Sequence, residues 1–166
     1  MKTKLKTLAI TMFLTGIFVI NTSYTNDVYE YVPIFMKRAE LEKSISYQST
    51  AHDLVQPGKI YYKTPYIYVN EKYKGVHIIN NTNPKNPVNE AFIVAPGCID
   101  MAVKGHIIYL DNAVDLVAFD MNTKQVTARI KNVFPEPASP DNYYYSTWDR
   151  PENLILVGWK KNPLKN

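Results

Sequence analysis

The stretch KTPYIYVN, residues 63–70, returns about forty residues later as KGHIIYLD, residues 104–111. The segment that follows each copy is repeated as well, as GVHIIN in residues 75–80 and DLVAFD in residues 115–120. Self-similarity at this period is typical of propellers and solenoids, in which each repeat is one supersecondary unit. The repeat therefore sets the fold class before any single residue does.

Short runs rich in Ile, Val and Tyr predict about four strands in each repeat, because turn residues separate them at hairpin spacing. The runs of the first unit are 60–63, 66–70, 76–80 and 90–94, and those of the second are 99–103, 106–111, 116–120 and 126–130. Apolar runs such as IIYL, residues 107–110, favour sheets covered on both faces. Four strands joined by short turns form one propeller blade. The expected fold is thus all-β, a partial β-propeller of two four-stranded blades.

The rest of the chain is divided by composition. Residues 1–23 read as a signal peptide or N-terminal anchor, 24–56 as a tether with a short helix over 36–45, 57–134 as the two blades, and 135–166 as a Pro/Tyr-rich loop with the start of a third blade. A propeller ring needs about four blades. The chain is therefore expected to be a truncated reading frame, one part of a split protein, or a subunit that associates through its open sheet edges.

The N-terminal segment has the pattern of an export signal. Lys2, Lys4 and Lys6 precede an uncharged apolar stretch over residues 8–20, which is shorter than the about 20 apolar residues of a membrane-spanning helix. Cleavage near Thr22 and Ser23 and retention as an anchor both stay open. The pattern predicts a protein exported from the cytoplasm, with membrane contact only through this segment.

Charge and cysteine content exclude several classes. The three lysines of residues 1–23 account for most of the formal net charge of +4, and the remainder mixes both signs, so no nucleic-acid partner is predicted. Cys98 is the single cysteine, which rules out an intramolecular disulfide and favours a buried, unreactive thiol. No metal or other cofactor is predicted.

The three histidines offer no evident catalytic or zinc-binding set. His52 and Asp53 are adjacent in sequence, which rarely presents both groups to one substrate. His77 lies within an apolar strand and His106 at a hairpin turn, without the ligand spacing of a zinc site.

Three aspartates recur near strand ends. Asp111, Asp115 and Asp120 fit turn capping better than cation binding, because their spacing differs from that of a calcium-binding loop.

An aromatic cluster is the best candidate binding surface in the sequence. Tyr143, Tyr144, Tyr145 and Trp148 stand in a Pro-flanked loop and offer amphipathic area of the kind used to bind proteins or glycans. The alternative is that these rings pack over the open face of the second blade.

The repeated segments resemble a known family. GVHIIN and DLVAFD, each following a strand of the YIYV type, and the turn NPKNP at residues 83–87 resemble the LVIVD repeat, found in predicted β-propeller proteins of bacterial cell surfaces. More closely, residues 31–159, with RAELEKS at 38–44 and VFPE at 133–136, are similar to the N-terminal part of exported LVIVD-repeat proteins from Bacteroidetes-type bacteria. The resemblance implies a fold and a location in a Gram-negative bacterium, in the periplasm, on the outer surface or membrane-anchored. It implies no reaction. Relatives commonly carry a lipoprotein cysteine where this chain has residues 21–23, NTS.

Two functions follow from these observations. The preferred one is an exported, non-catalytic interaction or scaffold module whose ligand is unknown, and the alternative is a propeller-type hydrolase or lyase with its site in a missing or partner-completed part. An enzyme of this type needs convergent polar residues where the inner strands start. Those positions hold Lys59, Ile60, Ile99 and Asp100, with no repeated His, Glu or Arg, which favours the interaction module.

Overall fold

The structure, a computed structural model, describes residues 30–142, 150 and 152–163. The predicted signal peptide lies outside these residues, as do Tyr143, Tyr144, Tyr145 and Trp148. Within the described part of the chain, no helix is both long and apolar enough to cross a lipid bilayer.

The described part of the chain is mostly β, with 52% of its residues in strands and 3% in helix, which confirms the all-β class. The elements in chain order are β1 (Tyr31–Lys37), α1 (Arg38–Leu41), β2 (Ser46–Gln48), β3 (Pro57–Lys63), β4 (Tyr66–Glu71), β5 (Gly75–Asn80), β6 (Val88–Val94), β7 (Met101–Lys104), β8 (Ile107–Asn112), β9 (Asp115–Asp120), β10 (Gln125–Ile130) and β11 (Leu154–Lys161). The described strands form several antiparallel sheets and do not close into a propeller ring.

Two meandering sheets match the two repeats. The first sheet has the order β2-β6-β5-β4-β3, and the second has the order β10-β9-β8-β7. Equivalent strands pair in the same way, since Asn70 lies opposite Val76 in the first sheet and Asp111 lies opposite Leu116 in the second. The eight predicted strands therefore agree with the structure within three residues at each end, and β2 adds a ninth at the outer edge of the first sheet.

The main core lies between the two sheets. Alternate residues of each strand face this core, as the two-residue period of a strand requires. The first sheet contributes Tyr68, Val76, Ile78, Ala91 and Ile93, and the second contributes Met101, Val103, Ile108, Leu110, Val117 and Phe119. Burial of these side chains at about 25 cal/mol per Å² of apolar area holds the sheets together.

Residues 31–45 differ from the expectation of a tether followed by a ten-residue helix. Residues 31–37 form β1, which pairs antiparallel with β11 in a two-stranded ribbon, and the helix is the single turn Arg38–Leu41. Met36 belongs to the strand because its backbone lies opposite Ile155. The turn is held by docking rather than by length, since Leu41 is fully buried against Ala113 and Val157.

Candidate functional site

A cavity of about 550 Å³ lies on the outer face of the second sheet, the face turned away from the first sheet. Ala102, Tyr109 and Leu116 contribute the sheet side of its lining, and residues 134–138 form the opposite wall. The volume falls within the range of small-ligand pockets, and most lining groups are apolar. We call this site the outer-face cavity.

The opposite wall is fixed to the fold at both ends. The backbone N–H groups of Val133 and Phe134 both donate to the carbonyl oxygen of Val114, at 2.8 and 3.0 Å. Further along, the Trp159 indole Nε1 donates to the carbonyl oxygen of Pro137 at 2.9 Å. The wall is thereby tied to the β8–β9 turn and to β11.

Glu136 joins the same wall to β11 through charged hydrogen bonds. Arg150 Nη1 donates to both Glu136 carboxylate oxygens, at 2.7 and 2.8 Å, and the Leu156 backbone N–H donates to Oε1 at 3.2 Å. The charge of Glu136 is therefore balanced outside the cavity.

Asp111 is the most buried acid of the cavity, with 7% of its surface exposed. Its Oδ1 accepts hydrogen bonds of 2.9 Å from the backbone N–H groups of Ile99 and Asp100. Burial raises the pKa of Asp111, and these backbone donors offset the rise only in part. No lysine, arginine or histidine among the described residues forms an ion pair with it, whereas neighbouring Asp100 is paired with Lys59.

The equivalent position in the first sheet is Asn70, and it is used differently. Its Nδ2 donates to the carbonyl oxygens of Gly75 and Cys98, at 3.1 and 3.2 Å. The outer face of the first sheet is covered by the chain before β3, where the His52 ring packs 4.3 Å from the Phe92 ring, centroid to centroid. The same cover is anchored by Glu71, which accepts the backbone N–H groups of residues 55 and 56.

His52 and His77 meet in this cover, with ring centroids 5.0 Å apart. Burial, followed by the proximity of His52, lowers the pKa of His77. The Nδ1 of His77 lies 3.1 Å from Asn89 Nδ2, and its Nε2 lies 3.6 Å from Glu71 Oε2. Asp53, the sequence neighbour of His52, is exposed to solvent, whereas the His52 ring packs on His77. The two neighbours are therefore not arranged as an acid–base pair.

The three aspartates are at three separate places, and each accepts backbone N–H groups, as turn capping predicts. Asp111 binds two in the outer-face cavity, Asp120 binds those of Asn122 and Thr123, and Asp115 binds that of Asn132. They do not form a common cation site. His106, at its hairpin, lies 3.6 Å from Asp120 Oδ2 and is exposed.

Cys98 is fully buried in the main core. Burial, and then the charge of Asp111, raises the pKa of its thiol well above the ordinary value, which disfavours the reactive thiolate. This agrees with the predicted role of a small buried side chain.

The outer-face cavity was not predicted from the sequence. One signal pointed towards it, because alignment of the repeats places an acid, Asp111, where the first unit has the neutral Asn70. The predicted surface of Tyr143, Tyr144, Tyr145 and Trp148 lies outside the described residues.

Comparison of the sequence with protein-family models, with curated proteins and with solved structures finds no match.

Proposed function

We propose that this chain is an exported, non-catalytic interaction module of the LVIVD-repeat type. In this proposal β3–β6 and β7–β10 are two propeller blades stacked face to face, and the ribbon of β1 and β11 is the start of a third. The meander order of both sheets, the common register at Asn70 and Asp111 and the core between the sheets support it. The blades serve as a rigid scaffold for a binding surface.

The outer-face cavity is the observation that carries the proposal. It is concave and mainly apolar, it contains few polar groups, and it is built from a sheet and a hydrogen-bonded wall. These are the properties of pre-formed binding sites. The partner in this proposal is a protein, because an apolar lining suits hydrophobic side chains better than the hydroxyl groups of a glycan.

The roles of Asp115 and Glu71, two buried acids outside the cavity, favour binding over catalysis. Asp115 is neutralised by Arg38 and Arg129, and Glu71 is saturated by backbone donors and Lys74. A catalytic acid, base or nucleophile must reach substrate from a cavity. These two acids are instead committed to holding chain segments in place.

Binding of a neutral apolar peptide tests the proposal. Acetyl-Leu-norleucine-Leu-amide is titrated into the isotope-labelled chain while backbone amide resonances are followed by NMR. We expect saturable shifts at Tyr109 and Phe134. Ala102→Trp should abolish them by filling the cavity, whereas Thr127→Trp, on exposed β10, should leave them intact. Absence of saturable shifts, or equal binding by the Ala102→Trp variant, would reject the cavity as the binding site.

Export is tested separately. The N-terminus of the chain recovered from the periplasm or cell surface should begin after residue 23 if the signal is cleaved, and at Met1 if it is an anchor. Recovery only from the cytoplasm would contradict export.

A further inference from the structure

The cavity contains one acid without a counterion, and this imbalance points to the chemistry of its ligand. We infer that the outer-face cavity accepts a lysine side chain of a partner protein, with the ammonium group on Asp111 and the apolar stem along Tyr109 and Leu116. The inference rests on the proposed function and adds the chemical class of the group that is bound.

The charges of the cavity are the first support. Three carboxylates line it, and two already have cationic partners, Lys59 for Asp100 and Arg150 for Glu136. Asp111 has only uncharged donors, the backbone N–H groups of Ile99 and Asp100 and the thiol of Cys98. A buried carboxylate without a counterion is costly, so a ligand cation that reaches it gains more than it would at the solvated surface. The negative charge of Asp111 also disfavours an anionic ligand.

The geometry of Asp111 favours lysine over arginine. The backbone N–H groups of Ile99 and Asp100 both bind Oδ1, so this oxygen is already occupied. A carboxylate with one oxygen already occupied suits a compact ammonium, whereas a guanidinium binds best when it can reach two carboxylate oxygens at once. This chain uses that second arrangement at Asp115, where Arg38 Nη1 contacts both oxygens at 2.7 Å.

The apolar lining suits the rest of the side chain. A lysine keeps its methylene stem on apolar surface and places its ammonium at a polar group. Tyr109 offers a large, half-exposed ring beside Asp111 in the same cavity, and such a ring also attracts cations. The stem and the charge are thus recognised by different parts of one site.

The test compares three peptides that differ only in the central side chain. Acetyl-Leu-Lys-Leu-amide, acetyl-Leu-norleucine-Leu-amide and acetyl-Leu-Glu-Leu-amide are titrated into the chain at pH 7 and followed by NMR. We expect the lysine peptide to bind at least about tenfold more tightly than the norleucine peptide, as hydrogen bonds to charged groups allow. The glutamate peptide should bind most weakly.

Two variants assign the preference to Asp111. Asp111→Asn keeps an Oδ1 acceptor and copies the residue that the first sheet carries at Asn70, so the fold is expected to persist. It should remove the lysine preference, so that the lysine and norleucine peptides bind about equally. Asp100→Asn, whose carboxylate is already paired with Lys59, should retain the preference. Chemical-shift dispersion of each variant checks its folding.

The outcomes separate the two proposals. Equal binding of all three peptides to the wild-type chain, or a lysine preference that survives in Asp111→Asn, overturns the inference while the interaction module stands. Failure of every peptide to bind overturns both. Loss of the lysine preference in Asp111→Asn, with the preference kept in Asp100→Asn, supports the inference.

Discussion

Arg38 and Asp115 are joined by two hydrogen bonds of 2.7 Å, from the Nη1 of the arginine to both carboxylate oxygens, although 77 residues separate them in sequence. Arg129 Nη1 also donates to Asp115 at 2.7 Å, and the Asn132 backbone N–H donates at 3.1 Å. The Asp115 side chain is fully buried. One carboxylate therefore holds together α1, the start of β9 and the end of β10, and it fastens the ribbon of β1 and β11 to the second sheet.

Replacing both arginines should lower the free energy of unfolding by more than the sum of the two single replacements. Arg38→Gln and Arg129→Gln should each lower the free energy of unfolding by about 1 kcal/mol, since the other arginine still neutralises Asp115. The double variant leaves a buried, uncompensated charge and should lose about 3–5 kcal/mol. Urea unfolding, monitored by circular dichroism, gives the free energy of unfolding of the wild-type chain, the two single variants and the double variant. Strict additivity would mean that the two arginines do not share Asp115.

The strands of both sheets could be predicted because their pattern is local. Short Ile/Val/Tyr runs between turn residues specify β4, β5, β8 and β9 without knowledge of the partner strand. The ribbon could not be predicted in this way. Residues 31–37 become a strand only because β11, at the far end of the chain, pairs with them, and sequence periodicity carries no information about such a distant partner.

Two glycines with positive φ should respond very differently to alanine. A Cβ on Gly97 (φ +82°) would lie 2.6–2.7 Å from backbone and side-chain atoms of Ala113, whereas a Cβ on Gly105 (φ +62°) would meet nothing within 4 Å. Gly97→Ala should therefore lower the free energy of unfolding by about 3 kcal/mol or more, from backbone strain and overlap together. Gly105→Ala is the matched control and should cost only the strain, about 1–2 kcal/mol. Comparable losses in thermal or urea unfolding would contradict the close approach at Ala113.

His77 should make the folded state less stable as the solution becomes mildly acidic. Its pKa is lowered in the folded chain, so below about pH 6.5 the unfolded chain binds a proton that the folded chain does not. The free energy of unfolding should then fall with decreasing pH, by at most about 1.4 kcal/mol per pH unit from this group. His77→Gln should flatten the dependence between pH 7.5 and 5, while His106→Gln, at an exposed hairpin, should keep it.

The pH range of that experiment separates His77 from Glu71 and Asp115, two buried acids whose pKa is lowered in the folded chain. Backbone donors at Gln56 and Val55 and the Lys74 side chain outweigh burial and lower the pKa of Glu71, and Arg38, Asn132 and Arg129 do the same for Asp115. The stability that these acids contribute is present above their unfolded pKa of about 4 and is lost as pH falls through the lower folded values. An undiminished slope above pH 5 in the His77→Gln variant would assign the dependence to another group.

The candidate site was predictable only in fragments. The repeat alignment reveals that Asp111 replaces Asn70, and the Pro-rich composition of residues 135–140 indicates a loop after the second blade. The cavity arises when that loop folds back against the sheet and its backbone binds Val114. Whether Asp111 has a counterion depends on Lys59 reaching Asp100 from the neighbouring sheet, which is a tertiary contact without a local sequence signal.

The open edge of β3 should govern any self-association of the chain. β3 is the last strand of the first sheet, its outer backbone edge pairs with no described strand, and Ile60 and Tyr62 are 68% and 59% exposed. Unpaired edges with exposed apolar side chains promote pairing between chains, and a lysine there disfavours it. Light scattering should show an average mass that rises with concentration for the wild-type chain. Ile60→Lys should stay monomeric, whereas Val126→Lys on β10, the edge of the second sheet, should associate like the wild type. A wild-type monomer at every concentration would exclude association through β3, and loss of association in Val126→Lys would transfer the contact to the other sheet.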